Sequence, residues 1–391
     1  MNIRTLTAGA AIVAFLTGTQ VGTSADSTIK VGRDVIAFGE PPVPIAVSGF
    51  SGEVQTVLQF DLHVMGFKLV PESEAQFTVA GSNAGAVEAR VKDRLGGGNL
   101  LLGKRYTGGS LRQQAHALAD DIVKSTVNRE GVAQTRIAFR VKTGQRANEI
   151  FVADFDGGNA KAATSDNVLV AAPAWVKGRA TLFYSTYKNV FPDIVSHDLT
   201  TGKRQIFANY NGANLSPSVS PDGKKVAMIL SRNGSPDLWV ADIDGKNLKQ
   251  LSKTRETEAS PTWSPDSRTI CFSSETSGRN ALYTVTTEGG AMKRLATSGV
   301  GNLTEPDWSP DGKYIAFTQM RGGGFDICVV PAAGGTAQVL VEGEDPSWAK
   351  NSRNIIYNRD QTHLSVLDVP TRQTKDIARA PGNSSAASWA R

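Results

Sequence analysis

Few residues in this chain have the types and spacing that chemistry needs. His116 and Asp120 stand one helical turn apart, and such a pair can work as acid and base. No nucleophile with a motif accompanies them, so His116 is read as a partly buried structural histidine. No Gly-x-Ser-x-Gly elbow occurs anywhere in the chain. Asp154-x-Asp156-Gly157 and Asp242-x-Asp244-Gly245 resemble the start of a calcium loop. They lack the bidentate glutamate that closes such a loop, and they fall where a hairpin turn is needed. No metal and no cofactor is expected there. Gly96-Gly97-Gly98 is a loose turn rather than a phosphate cradle, because no helix start follows it. The histidines are His63, His116, His197 and His363, too few and too scattered for a histidine-built metal centre. No catalytic residue is assigned.

The two cysteines are Cys271 and Cys328. Both fall on strands of different repeats, at positions that alternate inward, so two buried reduced thiols packed as hydrophobes are expected.

The elements that would position these residues repeat. Trp308-Ser309-Pro310-Asp311-Gly312-Lys313-Tyr314-Ile315-Ala316-Phe317 is the fullest copy. Val219-Ser220-Pro221-Asp222-Gly223-Lys224 and Trp263-Ser264-Pro265-Asp266-Ser267-Arg268 stand beside it, weaker copies start at Trp175 and Trp348, and a fragment ends the chain at Trp389. The copies recur every roughly 40 to 45 residues, the period of a β-propeller blade. Ser-Pro-Asp-Gly is turn chemistry: Pro fixes φ, Asp bonds its own backbone and Gly accepts positive φ. Each repeat resolves into four short strands. The second reads Lys225-Val226-Ala227-Met228-Ile229, the third Asp237-Leu238-Trp239-Val240-Ala241-Asp242, and the fourth Leu248-Lys249-Gln250-Leu251 or Met292-Lys293-Arg294-Leu295.

The first repeat lacks its opening strand. Arg136-Ile137-Ala138-Phe139 is a second strand with no Trp motif before it, and the missing strand appears at Ala387-Ser388-Trp389-Ala390. Six blades closed by the C-terminal strand follow. Closure also removes an open sheet edge.

Residues 26 to about 130 do not share the period. Strands are expected over 44–50, 67–70, 77–80, 86–91 and 100–106, a helix capped by Ser51 and carrying Val54, Val57, Leu58 and Leu62, and a second helix opened by the capping box Ser110-x-x-Gln113. Little helix fits between Val70 and Phe77. The expected organisation is therefore a signal peptide over 1–25, a small N-terminal α/β domain over 26–132 and a six-bladed propeller over 133–391. The fold class is α+β with two domains.

The start of the chain has the form of an export signal. Arg4 precedes an apolar run from Ala8 to Leu16, and Thr23-Ser24-Ala25 offers small residues for cleavage. The run is too short to span a bilayer, so no membrane span is expected and the mature protein is expected to be soluble and exported. Net charge is +5 among 20% charged residues, scattered with no basic run, so no nucleic-acid partner is expected.

Signal, small α/β domain and six-bladed propeller in that order resemble TolB, the periplasmic propeller component of the Tol-Pal system. Pro44-Ile45-Ala46-Val47-x-x-Phe50 is similar to the family's first strand. Ser110-Leu111-Arg112-x-x-Ala115-His116-x-x-x-Asp120, followed by Thr135-Arg136-Ile137-Ala138-Phe139, is similar to its helix leading into the first blade. The Pro-x-Trp-Ser-Pro-Asp repeats at Pro261 and Pro306 and the terminal Trp389 are similar to its propeller. The resemblance covers most of residues 40 to 391. It implies a non-enzymatic protein-binding scaffold that supports outer-membrane integrity and cell division, with a Pal-like peptidoglycan-associated lipoprotein at the propeller. It also implies TolA engaged by the mature N-terminal segment through strand addition. A monomer is expected. The binding surface is expected at one channel mouth, from residues just before each first strand: Asn214 and Ser216, Ala259 and Ser260, Thr304 and Glu305, Glu344 and Asp345. On the residues alone, a propeller-based hydrolase or lyase and a propeller for another envelope ligand stay open.

Overall fold

The protein is represented by a computed structural model that describes residues 38–391 other than Ser277. The expected signal peptide, and residues 26–37 of the segment expected to engage TolA, lie outside the described residues.

The N-terminal part is a five-stranded sheet with two helices on one face. Val43–Ser48 lies between Phe67–Leu69 and Phe77–Ser82 and is parallel to both. Val87–Asp93 and Asn99–Tyr106 extend the sheet antiparallel. Helix α1 (Gly52–Val64) buries Val54, Val57, Leu58 and Leu62, the i, i+3, i+4, i+8 stripe that points one face inward. Helix α2 (Leu111–Val127) buries Ala115, Leu118, Ala119, Ile122 and Val123. The capping box forms: Ser110 Oγ accepts from the Gln113 N–H at 3.2 Å, and Gln113 Oε1 accepts from the Ser110 N–H at 2.9 Å. Ser51 differs from expectation. It occupies the N-cap of α1 with extended backbone, but its side chain caps nothing. Its own N–H is taken by Asn83 Oδ1 at 3.0 Å. Between Val70 and Phe77 there is only a 3₁₀ turn, Glu72–Glu74.

Six four-stranded sheets follow. Blade 1 is Arg136–Lys142, Asn148–Asp154 and Lys161–Ala162, completed by Ser384–Trp389 as its innermost strand. Ser388 pairs with Ala138 and Trp389 with Ile137. The innermost strands of blades 2 to 6 are Val170–Trp175, Asn214–Val219, Glu258–Trp263, Leu303–Trp308 and Glu344–Trp348. The Ser-Pro-Asp turns form as their chemistry dictates. Ser220, Ser264 and Ser309 each donate to the Asp two residues on, at 2.6 Å in every copy. Gly223 and Gly312 have φ of +69° and +79°.

The fourth strand of blades 3 and 4 is shorter than its sequence pattern. The ladder forms only at Lys249–Gln250 and Lys293–Arg294. Beyond it the N–H groups of Leu251 and Leu295 still donate to the carbonyls of Leu238 and Leu282 on the third strands, each at 2.8 Å, and both side chains are buried between blades. A two-stranded parallel pair, Thr297–Ser298 with Gly335–Thr336, adds a lateral tie between blades 4 and 5 that no periodicity signals.

The core is continuous from helices to ring. Val57, Leu58, Leu118 and Ile122 belong to the same cluster as Phe155, Ile356, Val366 and Trp389 of blades 1 and 6. Both cysteines are buried and free, in one cluster with Leu282, Trp308 and Phe317 between blades 4 and 5.

Candidate protein-binding mouth of the channel

Every innermost strand breaks its register once. At that bulge stand Ala172, Ser216, Ser260, Glu305, Asp345 and Ala386, with φ of +52°, +49°, +50°, +52°, +58° and +51°. None is glycine, so each is held in the left-handed region against its own preference. In five of the six blades the next residue is Pro, which by itself favours an extended predecessor. A repeated departure of this kind persists only where surrounding structure enforces it. The enforcement is visible in three blades. Ser216 N–H donates to Ser185 Oγ (3.1 Å), Asp345 N–H to Thr318 Oγ1 (2.9 Å), and Ala386 N–H to Asn358 Oδ1 (3.1 Å), in each case on the second strand of the preceding blade.

The bulges ring one end of the channel, around a depression of about 450 Å³. Ser216, Ser260, Glu305, Glu344 and Asp345 line it together with Arg140. The expected surface residues therefore sit within the innermost strands, not ahead of them. Asn214 differs from expectation. It is fully buried, and its amide donates to the carbonyls of Pro192, Tyr210 and Gly212 at 3.0, 2.8 and 3.0 Å. It builds the loop beneath the mouth and offers nothing to a ligand. Ala259 and Thr304 precede the bulge residues and do not line the depression.

The mouth is acidic. Glu305 Oε2 accepts from Thr318 Oγ1 at 2.7 Å and from the Asp345 N–H at 3.0 Å. Burial raises the Glu305 carboxyl above the ordinary range, against these hydrogen bonds. Burial first, then the charges of Glu305 and Glu344, raises Asp345 well above its ordinary value. Glu344 is raised by burial and by Glu305, with Arg140 opposing. Arg140 is itself fixed by Ser385 Oγ, which accepts from Nε at 3.0 Å and Nη2 at 2.8 Å.

The opposite end carries the aromatic ring. Trp175, Val219, Trp263, Trp308 and Trp389 line it. Arg391 reaches across: its guanidinium pairs with Asp307 and donates to the carbonyls of Trp348 (3.0 Å) and Trp308 (3.2 Å).

His116 pairs with Asp61 of α1 rather than with Asp120, Nδ1 to Oδ2 at 2.7 Å. Asp120 is occupied elsewhere, accepting from the Ala133 N–H at 2.8 Å and from Gln134 Nε2 at 3.0 Å. The Asp154-x-Asp156 carboxylates face arginine. Arg112 Nε lies 3.2 Å from Asp154, and its Nη2 pairs with Asp156. Arg379 holds the other Asp156 oxygen at 2.9 Å. Asp242 and Asp244 pair with Lys225 (3.1 Å) and Lys246 (2.8 Å). These groups join helix to blade and turn to strand.

A six-bladed ring closed by its last strand, with one mouth open and acidic, defines the class: a β-propeller of the kind that presents a central channel beside a small α/β domain. The family model for the TolB β-propeller domain matches residues 124–391. The chain belongs to that family. It is 30% identical over 243 residues to the Tol-Pal system protein TolB of Gluconobacter oxydans, covering 55% of this chain and 54% of that one. To the Tol-Pal system protein TolB of a Polaromonas species it is 32% identical over 213 residues, covering 46% and 50%. The chain thus spans about half the length of the curated relatives it matches. In fold it is similar to TolB from Acinetobacter baumannii, with a TM-score of 0.80 and 22% identity, covering 90% of this chain and 98% of that one.

Proposed function

We propose that this chain is a non-enzymatic, periplasmic protein-binding scaffold of the Tol-Pal system. Its acidic channel mouth receives a Pal-like peptidoglycan-associated lipoprotein, and its mature N-terminal segment engages TolA. In that role it supports outer-membrane integrity and cell division, working as a monomer. The observation that carries this reading is the mouth. Ser216, Ser260, Glu305 and Asp345 converge there on left-handed backbone, and that much strain is retained where a surface must keep one shape. The relatives named for the Tol-Pal system support it.

Calorimetric titration with the Pal-like lipoprotein of the same organism tests it. Glu344→Lys is the informative variant, because Glu344 lines the mouth while Glu305 is committed to Thr318 and Asp345. Affinity should fall by ~1–3 kcal/mol with the melting temperature unchanged. Wild type that does not bind sinks the reading; equal binding by both moves the site off the mouth.

A further inference from the structure

We propose that strand Asn99–Tyr106 is a docking edge for an extended acidic segment of a partner protein, which adds as a sixth strand to the N-terminal sheet. The two edges of that sheet are treated differently. Phe67–Leu69 is three residues long, and Gln373 of blade 6 donates to the Phe67 carbonyl at 3.4 Å. Asn99–Tyr106 is eight residues long, six of them exposed, and pairs only with Val87–Asp93 among the described residues. An edge of that length presents a row of free N–H and C=O groups, a template for another strand.

Edges are usually guarded by lysines or a proline. This one has no proline, and its cations are spent elsewhere. Lys104 turns to α2, where Nζ meets Asp121 at 2.7 Å, and Arg105 crosses to Glu88 at 2.8 Å. Leu100 and Leu101 remain 58% and 37% exposed. The helices cover one face of the sheet; on the other, Glu88, Arg90 and Lys92 stand exposed at every second position of Val87–Asp93. Neither Arg90 nor Lys92 has an ion-pair partner among the described residues. Arg90 stands opposite Gly103 in the ladder. No side chain therefore separates its guanidinium from a strand added beyond Gly103. Backbone bonds would supply affinity, and carboxylates meeting Arg90 and Lys92 would supply selectivity. A second copy of this chain fits worse, since it brings the same uncompensated cations to the same seam.

The test uses the whole chain and two synthetic octapeptides, one alternating valine with glutamate and one alternating valine with lysine. The glutamate peptide should slow amide exchange over 99–106 by at least about tenfold, and the lysine peptide should not. Arg90→Glu with Lys92→Glu, both on the exposed face, should weaken the glutamate peptide about tenfold or more without altering the melting temperature. Unslowed exchange at 99–106, or equal binding of the two peptides, overturns the proposal. Slowing that appears with protein concentration alone, together with a dimer mass in sedimentation, overturns it in favour of self-pairing. None of these outcomes touches the channel mouth, which the lipoprotein titration reads separately.

Discussion

The backbone N–H of Trp389 donates to Ser347 Oγ at 3.1 Å, tying the closing strand of blade 1 to blade 6. The same bond recurs at the two preceding junctions, between blades 5 and 6 and between blades 4 and 5. Trp348 N–H donates to Asp307 Oδ2 at 2.7 Å, and Trp308 N–H to Thr262 Oγ1 at 3.2 Å. In each case the residue just before one blade's tryptophan receives the N–H of the next blade's tryptophan. Successive blades are thus indexed by a polar contact beside their aromatic packing. Arg391 extends the chain of contacts from blade 1 across to Asp307 of blade 5.

Closure should therefore dominate stability. Trp389 is buried, stacks on Phe155 at 6.1 Å between ring centroids, and donates from Nε1 to Thr135 Oγ1 at 2.7 Å. Trp389→Ala should cost ~3–5 kcal/mol in urea unfolding, and Ser347→Ala only ~0.5–1.5 kcal/mol. A Trp389→Ala protein that unfolds at the wild-type urea midpoint would show that the ring is held by something else.

Most of the propeller was legible in the sequence, because its turns need particular residues at fixed offsets. Ser309, Asp311 and Gly312 announce their own geometry, and Trp389 without a repeat around it announces closure. The left-handed bulges were not legible. Proline after Ser216, Ser260, Glu305 and Asp345 argues for extended backbone there, and the opposite is imposed from the neighbouring blade by groups such as Ser185 and Thr318. Asn214 was misplaced for the same reason: its three carbonyl partners come together only in the folded loop. The partner of His116 was hidden too, since Asp61 lies 55 residues away and meets it only because α1 packs on α2.

The two thiols should be silent in the native protein. Burial pushes Cys328 up to about 12, with Asp326 adding to it, and burial pushes Cys271 up further. The thiolate is the reactive form. An aromatic disulfide reagent should label neither residue until denaturant unfolds the chain, and then label both. Labelling of neither even when unfolded would mean a disulfide.

Arg112 should be the most costly single charge to remove. It is buried and touches Glu53 of α1 and Asp154 and Asp156 of blade 1. Arg112→Ala removes the cation closest to the buried Asp156, leaving it Arg379, the Gly158 N–H and the more distant His116 ring, and should cost ~3–5 kcal/mol. Arg112→Lys keeps the charge but not the planar fork, and should recover less than half of that. Full recovery by lysine would reduce the role of Arg112 to charge alone.

The His116–Asp61 pair should make stability fall as pH rises. Burial raises the Asp61 carboxyl to about 7, against the hydrogen bond and charge of His116. Burial alone would lower His116, but the hydrogen bond and charge of Asp61, followed by Asp156, outweigh it and the net direction is upward. Arg112 opposes that rise, and the groups facing the pair from every side are Asp156, Arg112 and Asp120. His116 Nε2 has no hydrogen-bond partner among the described residues and lies 3.9 Å from Asp156 Oδ1. Only the imidazolium turns an N–H toward both carboxylates; deprotonation leaves a lone pair facing Asp156. A group whose folded pKa is raised stabilises fully below its unfolded value and loses that contribution as pH climbs through the folded value. Both members are raised, so their signs agree. Wild type should lose on the order of 1–3 kcal/mol between pH 4 and 8 relative to Asp61→Asn, in which the amide oxygen still accepts from Nδ1–H but no longer titrates. Urea unfolding of both proteins across that range measures the difference. Parallel pH profiles would show that the pair holds no extra proton in the folded state.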